Sequence, residues 1–176
     1  LSFGMLGMHG MTYANMAVDA SDLVVAIGMR FDDRATGRVG GFATKAKVVH
    51  IDIDPAEIGK NVRVDVPIVG DVKNVLKGLN KLVERGDRHE WVRQIEDWRE
   101  EHPALWIRDG DDLIPQFVVR KIYEVTGGDA IIVTGVGQHQ MWAAQHYTFT
   151  EPCSLLSAGG SGPMGYEVPG AMGAKV

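Results

Sequence analysis

A chain of 176 residues with 45% hydrophobic content is long enough to bury a core and short enough to hold either one domain or two. Its formal charge of −5, with no long Lys/Arg run, argues against a nucleic-acid surface, because neutralising phosphates needs a basic stripe. A single cysteine, Cys153, excludes an internal disulfide and a multi-cysteine metal site, and no apolar run reaches the roughly 18 residues that span a bilayer.

In chain order, LSFGMLGMHG places Gly4, Gly7 and Gly10 among apolar residues and His9, which predicts a loop crossing an apolar pocket. A helix is expected from Thr12 or Tyr13 to Ala20, and Ser21-Asp22 then punctuates before LVVAI, a short buried strand closed by Gly28. The polar, Gly-rich MRFDDRATGRVGGF follows as a loop at the strand's carboxyl end, where open α/β sheets place ligands. KVVHIDID predicts a second strand over 47–54 with its acids at the tip. Pro55 suits the first position of a short helix over PAEIGKN, with Asp54 as its N-cap. A third strand is expected over 66–69. Asp71 can cap a helix over 72–84, where Val72, Val75, Leu76, Leu79, Leu82 and Val83 form an apolar stripe. This alternation implies a parallel sheet with helices on its faces, an α/β domain over 1–84.

Residues 85–112 shift to charge and tryptophan and are expected to form a linker carrying a solvated helix over 88–101. Trp91, Ile95 and Trp98 share one helical face, which suits packing at a domain junction better than a stacking platform for bases. A helix over 113–126, ended by Gly127-Gly128, and a strand over 130–134 open a second α/β unit over 113–176. The strand runs into Gly135, Val136, Gly137, Gln138 and His139, and then into a helix-favouring MWAAQ. A Gly-rich turn lets the backbone approach a ligand, and the helix behind it presents N–H groups and the positive end of its dipole, which suits a phosphate. A further short strand is expected over 154–157, followed by a Gly-crowded turn in AGGSGPMGYEVPGAMGA. Cys153 reads as a small buried hydrophobe in preference to a reactive thiol.

The strand-end loops at 28–34, 52–57 and 70–72 could converge on one nucleotide. Acids at strand tips accept hydrogen bonds from ribose hydroxyls, and Arg30 or Arg34 can meet a pyrophosphate. No G-x-G-x-x-G follows the first strand. Asp52 and Asp54 suit ligand contact and helix capping alike, and Asp32 and Asp33 also suit a salt-bridged loop with Arg30, Arg34 and Arg38. His139 could offer a ring N–H to a phosphate, with Gln138 adding an amide. The sequence has no H-x-x-x-H, C-x-x-C or G-x-S-x-G, so zinc and hydrolase chemistry are disfavoured.

Taken together, LGMHG, MRFDDRATG, HIDIDPAEIGKN, the GDV that opens at Gly70, GQHQMWAAQHY and AGGSGPMGYEVPGA resemble the catalytic large subunit of acetolactate synthases, thiamine-diphosphate enzymes, over essentially the whole chain. The resemblance implies a Rossmann-like central domain holding FAD, with His9, Gly10, Gly28, Arg30, Asp52, Ile53, Glu57, Gly70 and Asp71 at that site. It also implies the start of a thiamine-diphosphate-binding domain, with Val136, Gly137, Gln138 and His139 at the diphosphate and Gly162 and Met164 shaping the cofactor loop. The implied reaction joins the two-carbon unit left by decarboxylating pyruvate to pyruvate or 2-oxobutyrate, with Mg²⁺ as a further cofactor, on the way to branched-chain amino acids. Implied partners are the 2-oxo acids, further copies of the chain as a dimer or tetramer, and a regulatory small subunit. The implied compartment is cytoplasmic in a prokaryote and plastid or mitochondrial in a eukaryote. Gly135, Pro163 and Glu167 depart from the usual family pattern. Both ends of the chain look cut, and the activating glutamate and the G-D-G…N magnesium motif are expected outside it. No catalytic or metal-binding residue is therefore assigned within it, and the chain alone is expected to be inactive. A pyruvate oxidase, a glyoxylate carboligase and a non-catalytic nucleotide-binding module are the alternatives.

Overall fold

The computed structural model describes residues 1–103 and 113–176, which fall into two compact units, Leu1–Ala104 and Leu105–Val176. In the first unit the Val- and Ile-rich segments form parallel strands, because β-branched side chains pack well on a pleated surface. The LVVAI strand, expected to be buried, leaves Leu23, Val25 and Ile27 exposed, and burial is greatest in KVVHID between its two neighbours. The strands are β1 (Leu23–Ile27), β2 (Lys47–Asp52) and β3 (Val66–Val69), in that spatial order. The register sets Val25 beside Val49 and Val49 beside Val66, and carries Ile27, Ile51 and Ile68 across the sheet in one row. Parallel neighbours need a crossover, and the first is made by α2 (Asp33–Thr36) and a 3-10 turn, Val39–Gly41. That crossover drops Phe31 and Phe42 onto one face of the sheet, where they pack with Val24, Ala26, Val48 and Val62.

A second core joins two helices. Met11, Tyr13 and Ala14, at the start of α1 (Thr12–Ala20), pack against Ile95 of α4 (His89–Glu101), flanked by Trp91 and Trp98, whose rings meet edge to face at 5.9 Å. The helix expected in a linker over 85–112 thus lies in the first unit. Its apolar stripe is buried on α1, because an amphipathic face that finds a partner stays with it. Residues 104–112 of that stretch lie outside the described residues.

Two further expectations change. The segment over PAEIGKN forms turns, not a helix. Asp54 accepts the Ala56 N–H at 2.9 Å, but Gly59 turns left-handed at φ 68°, and a helix nucleus that short does not propagate. The helix over 72–84 ends at Leu79 as α3 (Val72–Leu79), since Gly78 and Asn80 are poor helix formers and Leu82 is exposed, with no burial to hold a longer helix.

In the second unit α5 (Pro115–Thr126) starts on Pro115 at its first turn and stops at Gly127, which adopts the left-handed conformation that ends helices. It packs on α6 (Gln138–His146), and the Tyr123 and Tyr147 rings meet at 5.4 Å. The strands β4 (Ile132–Thr134) and β5 (Leu155–Ser157) are parallel, pairing Thr134 with Ser157 at their carboxyl ends. Over β4 lies α7 (Glu167–Lys175), so close that a Cβ on Gly170 would stand 3.1 Å from Val133. Cys153 is exposed at φ 62°, at variance with the buried position expected. It sits in the tight turn that leads into β5, where no core reaches it.

Candidate functional site

The carboxyl ends of β1, β2 and β3 form one ledge. Gly28, just past β1, donates its N–H to Ile51 O at 2.8 Å, and Gly70, just past β3, donates to Asp52 O at 2.8 Å. Gly28, Asp52 and Gly70 are therefore tied side by side, as parallel pairing of three short strands requires. Gly28 has φ 62° and open space where a Cβ would be, so a ligand can lie against its backbone. Ile53 is 72% exposed beside it. Asp52 is committed locally, its Oδ1 accepting the Asp54 N–H at 2.9 Å, and Asp71 accepts the Asn74 N–H at 3.1 Å as the cap of α3. Glu57 pairs with Lys60 at 2.9 Å, while its other carboxylate oxygen is buried with no partner.

Beyond β1, Asp32 gathers the loop. Its Oδ2 meets Arg30 at 3.1 Å and Arg34 at 3.4 Å, and its Oδ1 accepts the Ala35 N–H at 3.1 Å as the cap of α2. Burial alone would raise the Asp32 pKa. The Ala35 hydrogen bond and the two arginine charges outweigh it and hold the carboxyl below its ordinary value. Of the salt-bridged loop expected from sequence, the part around Asp32 forms, with Arg30 and Arg34 half exposed and able to meet an anion, whereas Asp33 and Arg38 do not join it.

The 4–10 segment that carries His9 and Gly10 is drawn to the same loop through Met8 and Gly7. Met8 donates its N–H to Arg34 O at 2.8 Å, and a Cβ on Gly7 would stand 2.9 Å from Ala35 Cα, so glycine lets the two segments touch. Asn15 closes this 4–10 loop from α1, exchanging two hydrogen bonds with Gly7 at 2.8 and 2.9 Å. A Cβ on Gly10 would press on Met5 C at 2.7 Å, so this turn also requires glycine.

The second unit carries a separate strand-end turn. Gly137 precedes α6 at φ 146°, no side chain caps that helix, and the His139 ring lies back over Gly137, with Nδ1 3.2 Å from where its Cβ would be. An uncapped helix start behind a glycine turn fits a diphosphate. Beside it, at the carboxyl ends of β4 and β5, Thr134 donates to Ser157 at 3.0 Å and Gln140 donates to Ser157 at 2.9 Å. Sequence reasoning missed this trio. Its only signal is a hydroxyl residue closing each strand and an amide three residues after the glycine. Gly162 turns left-handed at φ 72°, and Met164, 83% exposed, is free to reach over a ligand. Among the described residues no cluster of three or more His, Cys, Asp or Glu could hold a metal ion, and no helix is long and apolar enough to cross a membrane.

Comparison with known proteins covers both stretches of chain. The thiamine pyrophosphate enzyme central domain matches residues 1–79, and the C-terminal TPP binding domain of the same enzymes matches 135–176. The chain is 50% identical over its whole length to acetolactate synthase 1, chloroplastic, of Oryza sativa subsp. japonica, and 50% to its namesake in Nicotiana tabacum. It is 49% identical to acetolactate synthase, chloroplastic, of Arabidopsis thaliana, again over its whole length. It spans 28% of the rice protein and 27% of the other two. With a strand-end ledge inside the central-domain match and an uncapped glycine turn inside the cofactor-domain match, the chain belongs to the thiamine pyrophosphate enzymes.

Proposed function

We propose that this chain is part of an acetolactate synthase that condenses the two-carbon unit of decarboxylated pyruvate with pyruvate or 2-oxobutyrate. The observation that carries this reading is whole-chain identity of about 50% to acetolactate synthases, spanning both sites. Thiamine diphosphate, when bound, supplies the electron sink for decarboxylating a 2-oxo acid. The chain's own residues then hold and orient it. The turn at Val136, Gly137, Gln138 and His139 takes the diphosphate on backbone N–H groups at the start of α6, and Gly162 and Met164 shape the loop against its rings. Mg²⁺ would accompany the diphosphate, and no described residue is assigned as its ligand.

In the first unit the ledge formed by Gly28, Asp52, Ile53, Gly70 and Asp71 suits the adenosine half of FAD. Arg30 faces its pyrophosphate, and His9 and Gly10 belong to the flavin side. Support comes from the open space over Gly28 and from the docking of the 4–10 loop on the loop after β1. Glu57 lies at the rim, paired with Lys60. In this reading FAD is structural, the oligomer is a homodimer or tetramer of the full-length polypeptide, and a regulatory small subunit binds it. The decisive assay incubates the full-length polypeptide with pyruvate, thiamine diphosphate, Mg²⁺ and FAD. Acetolactate is the expected product, and its absence in an enzyme that is folded and holds both cofactors overturns the reading. The 176-residue chain alone is expected to form none.

A further inference from the structure

Asn61 holds the backbone on both sides of an unusual turn. Its side-chain amide donates to Arg30 O at 3.1 Å and to Phe31 O at 3.2 Å, across a separation of about thirty residues. Phe31 stands at φ 50°, a left-handed conformation that residues with a Cβ avoid unless their surroundings impose it. Here the surroundings do so. The Phe31 ring is only 2% exposed, locked edge to face against Phe42 at 5.7 Å and His50 at 4.9 Å, while Asn61 restrains the peptide from the other side. Val62, next to Asn61, is buried in the same cluster and fixes where the amide can reach.

The consequence falls on Arg30. With the Phe31 ring pinned inward, the turn leaves Arg30 at the surface just past β1, its guanidinium 58% exposed and steered by Asp32. Two anchors thus act on one residue, Asp32 on the side chain and Asn61 on the carbonyl. A side chain that meets an anion contributes most when its backbone is already in place, since less ordering then accompanies binding.

We propose that Asn61 is a positioning residue for the anion contact made by Arg30, and that its amide bonds to Arg30 and Phe31 set the affinity for the pyrophosphate of a flavin dinucleotide. This rests on the FAD reading of the first unit. It makes no claim on thiamine diphosphate.

The test uses the full-length polypeptide. Asn61→Ala removes both donors, and Asn61→Asp keeps the shape while setting a carboxylate against two carbonyls. FAD and riboflavin, which lacks the pyrophosphate, are titrated by flavin fluorescence, and folding is followed by circular dichroism. FAD affinity should fall about tenfold in each variant, the loss expected of one to two net hydrogen bonds. Riboflavin affinity should stay within twofold. In an Arg30→Met background the further effect of Asn61→Ala on FAD should vanish. Equal losses for FAD and riboflavin, or losses that add fully to that of Arg30→Met, would show a merely structural role and overturn the proposal. So would unchanged FAD affinity. If Asn61→Ala does not fold, Asn61→Asp carries the same comparison. Failure of the wild-type protein to bind FAD sinks the parent reading instead, and is seen before any variant is made.

Discussion

Gly135 and Glu167 compete for the same space: a Cβ on Gly135 would stand 2.6 Å from the Glu167 carboxyl carbon and closer still to one of its two oxygens. That oxygen, Oε2, is buried with no hydrogen-bond partner. Glycine at 135 and glutamate at 167 therefore accommodate one another, at the head of the turn that leads to Gly137. Gly135→Ala should destabilise the protein by about 1–3 kcal/mol through overpacking, and the same change beside Glu167→Gly should cost much less. Thermal unfolding of the four proteins in this cycle measures it. Additive losses would show that the two positions do not compete.

The same pair bears on cofactor affinity. In the reading proposed above, a carboxylate packed against Gly135 would repel a diphosphate bound at Gly137, and poorly solvated charges are weakly screened. Glu167→Gly in the full-length polypeptide should tighten thiamine diphosphate severalfold by calorimetry. Unchanged affinity would mean that the Glu167 charge does not reach the cofactor.

Asp32 caps α2 and anchors two arginines, so Asp32→Ala should cost about 1 kcal/mol, whereas Asp32→Asn, whose amide oxygen can still accept the Ala35 N–H, should cost less. Its carboxyl titrates below the ordinary value of 3.8 in the folded state. The stability it lends is therefore complete above that value and is lost as the pH falls through the folded pKa. Acid unfolding of wild type and Asp32→Asn should differ in slope below about pH 3.8. Identical slopes would contradict the assigned shift.

His50 is fully buried on β2 against Phe31, and neither ring nitrogen has a hydrogen-bond partner. Leaving such groups unpaired costs about 1–3 kcal/mol, so a side chain of similar volume with no polar atoms should raise stability. His50→Leu is expected to increase the thermal midpoint of the chain. A lower midpoint would mean that the ring finds a partner this arrangement does not show.

His146 closes α6 with its pKa held below 6.5, first by burial and then by the Arg120 charge, and its Nδ1 is buried without a partner. The neutral ring is the form the fold favours. Its stabilising effect is complete above pH 6.5 and declines as the pH falls through the depressed folded value, because the unfolded chain binds the proton first. Arg120→Met should move the His146 titration upward in an NMR series, and His146→Gln should flatten the pH dependence of stability just below 6.5. No movement would remove Arg120 as a cause.

Much of this architecture was legible in the residue order because its causes are local. The strands over 23–27 and 66–69 follow from β-branched runs bounded by Gly and Asp, and both observed ranges match the expected ones. Asp71 caps α3 and Gly127 stops α5 for reasons contained in a few neighbouring residues. The family was legible through the resemblance of whole motifs, and in the first of them, LGMHG, Gly7 and Gly10 stand where backbone approaches backbone closely.

What only the tertiary structure decided involves partners far apart in the chain. The stripe of Trp91, Ile95 and Trp98 announced an apolar face but could not say what would cover it, and α1 does, some eighty residues earlier. Asn61 is an ordinary polar residue until the fold brings it to the carbonyls of Arg30 and Phe31. Thr134, Ser157 and Gln140 become a network only when β4 and β5 pair in register. Periodicity and capping act within a turn or two of chain, whereas these contacts depend on which surfaces meet once the sheet and helices have packed.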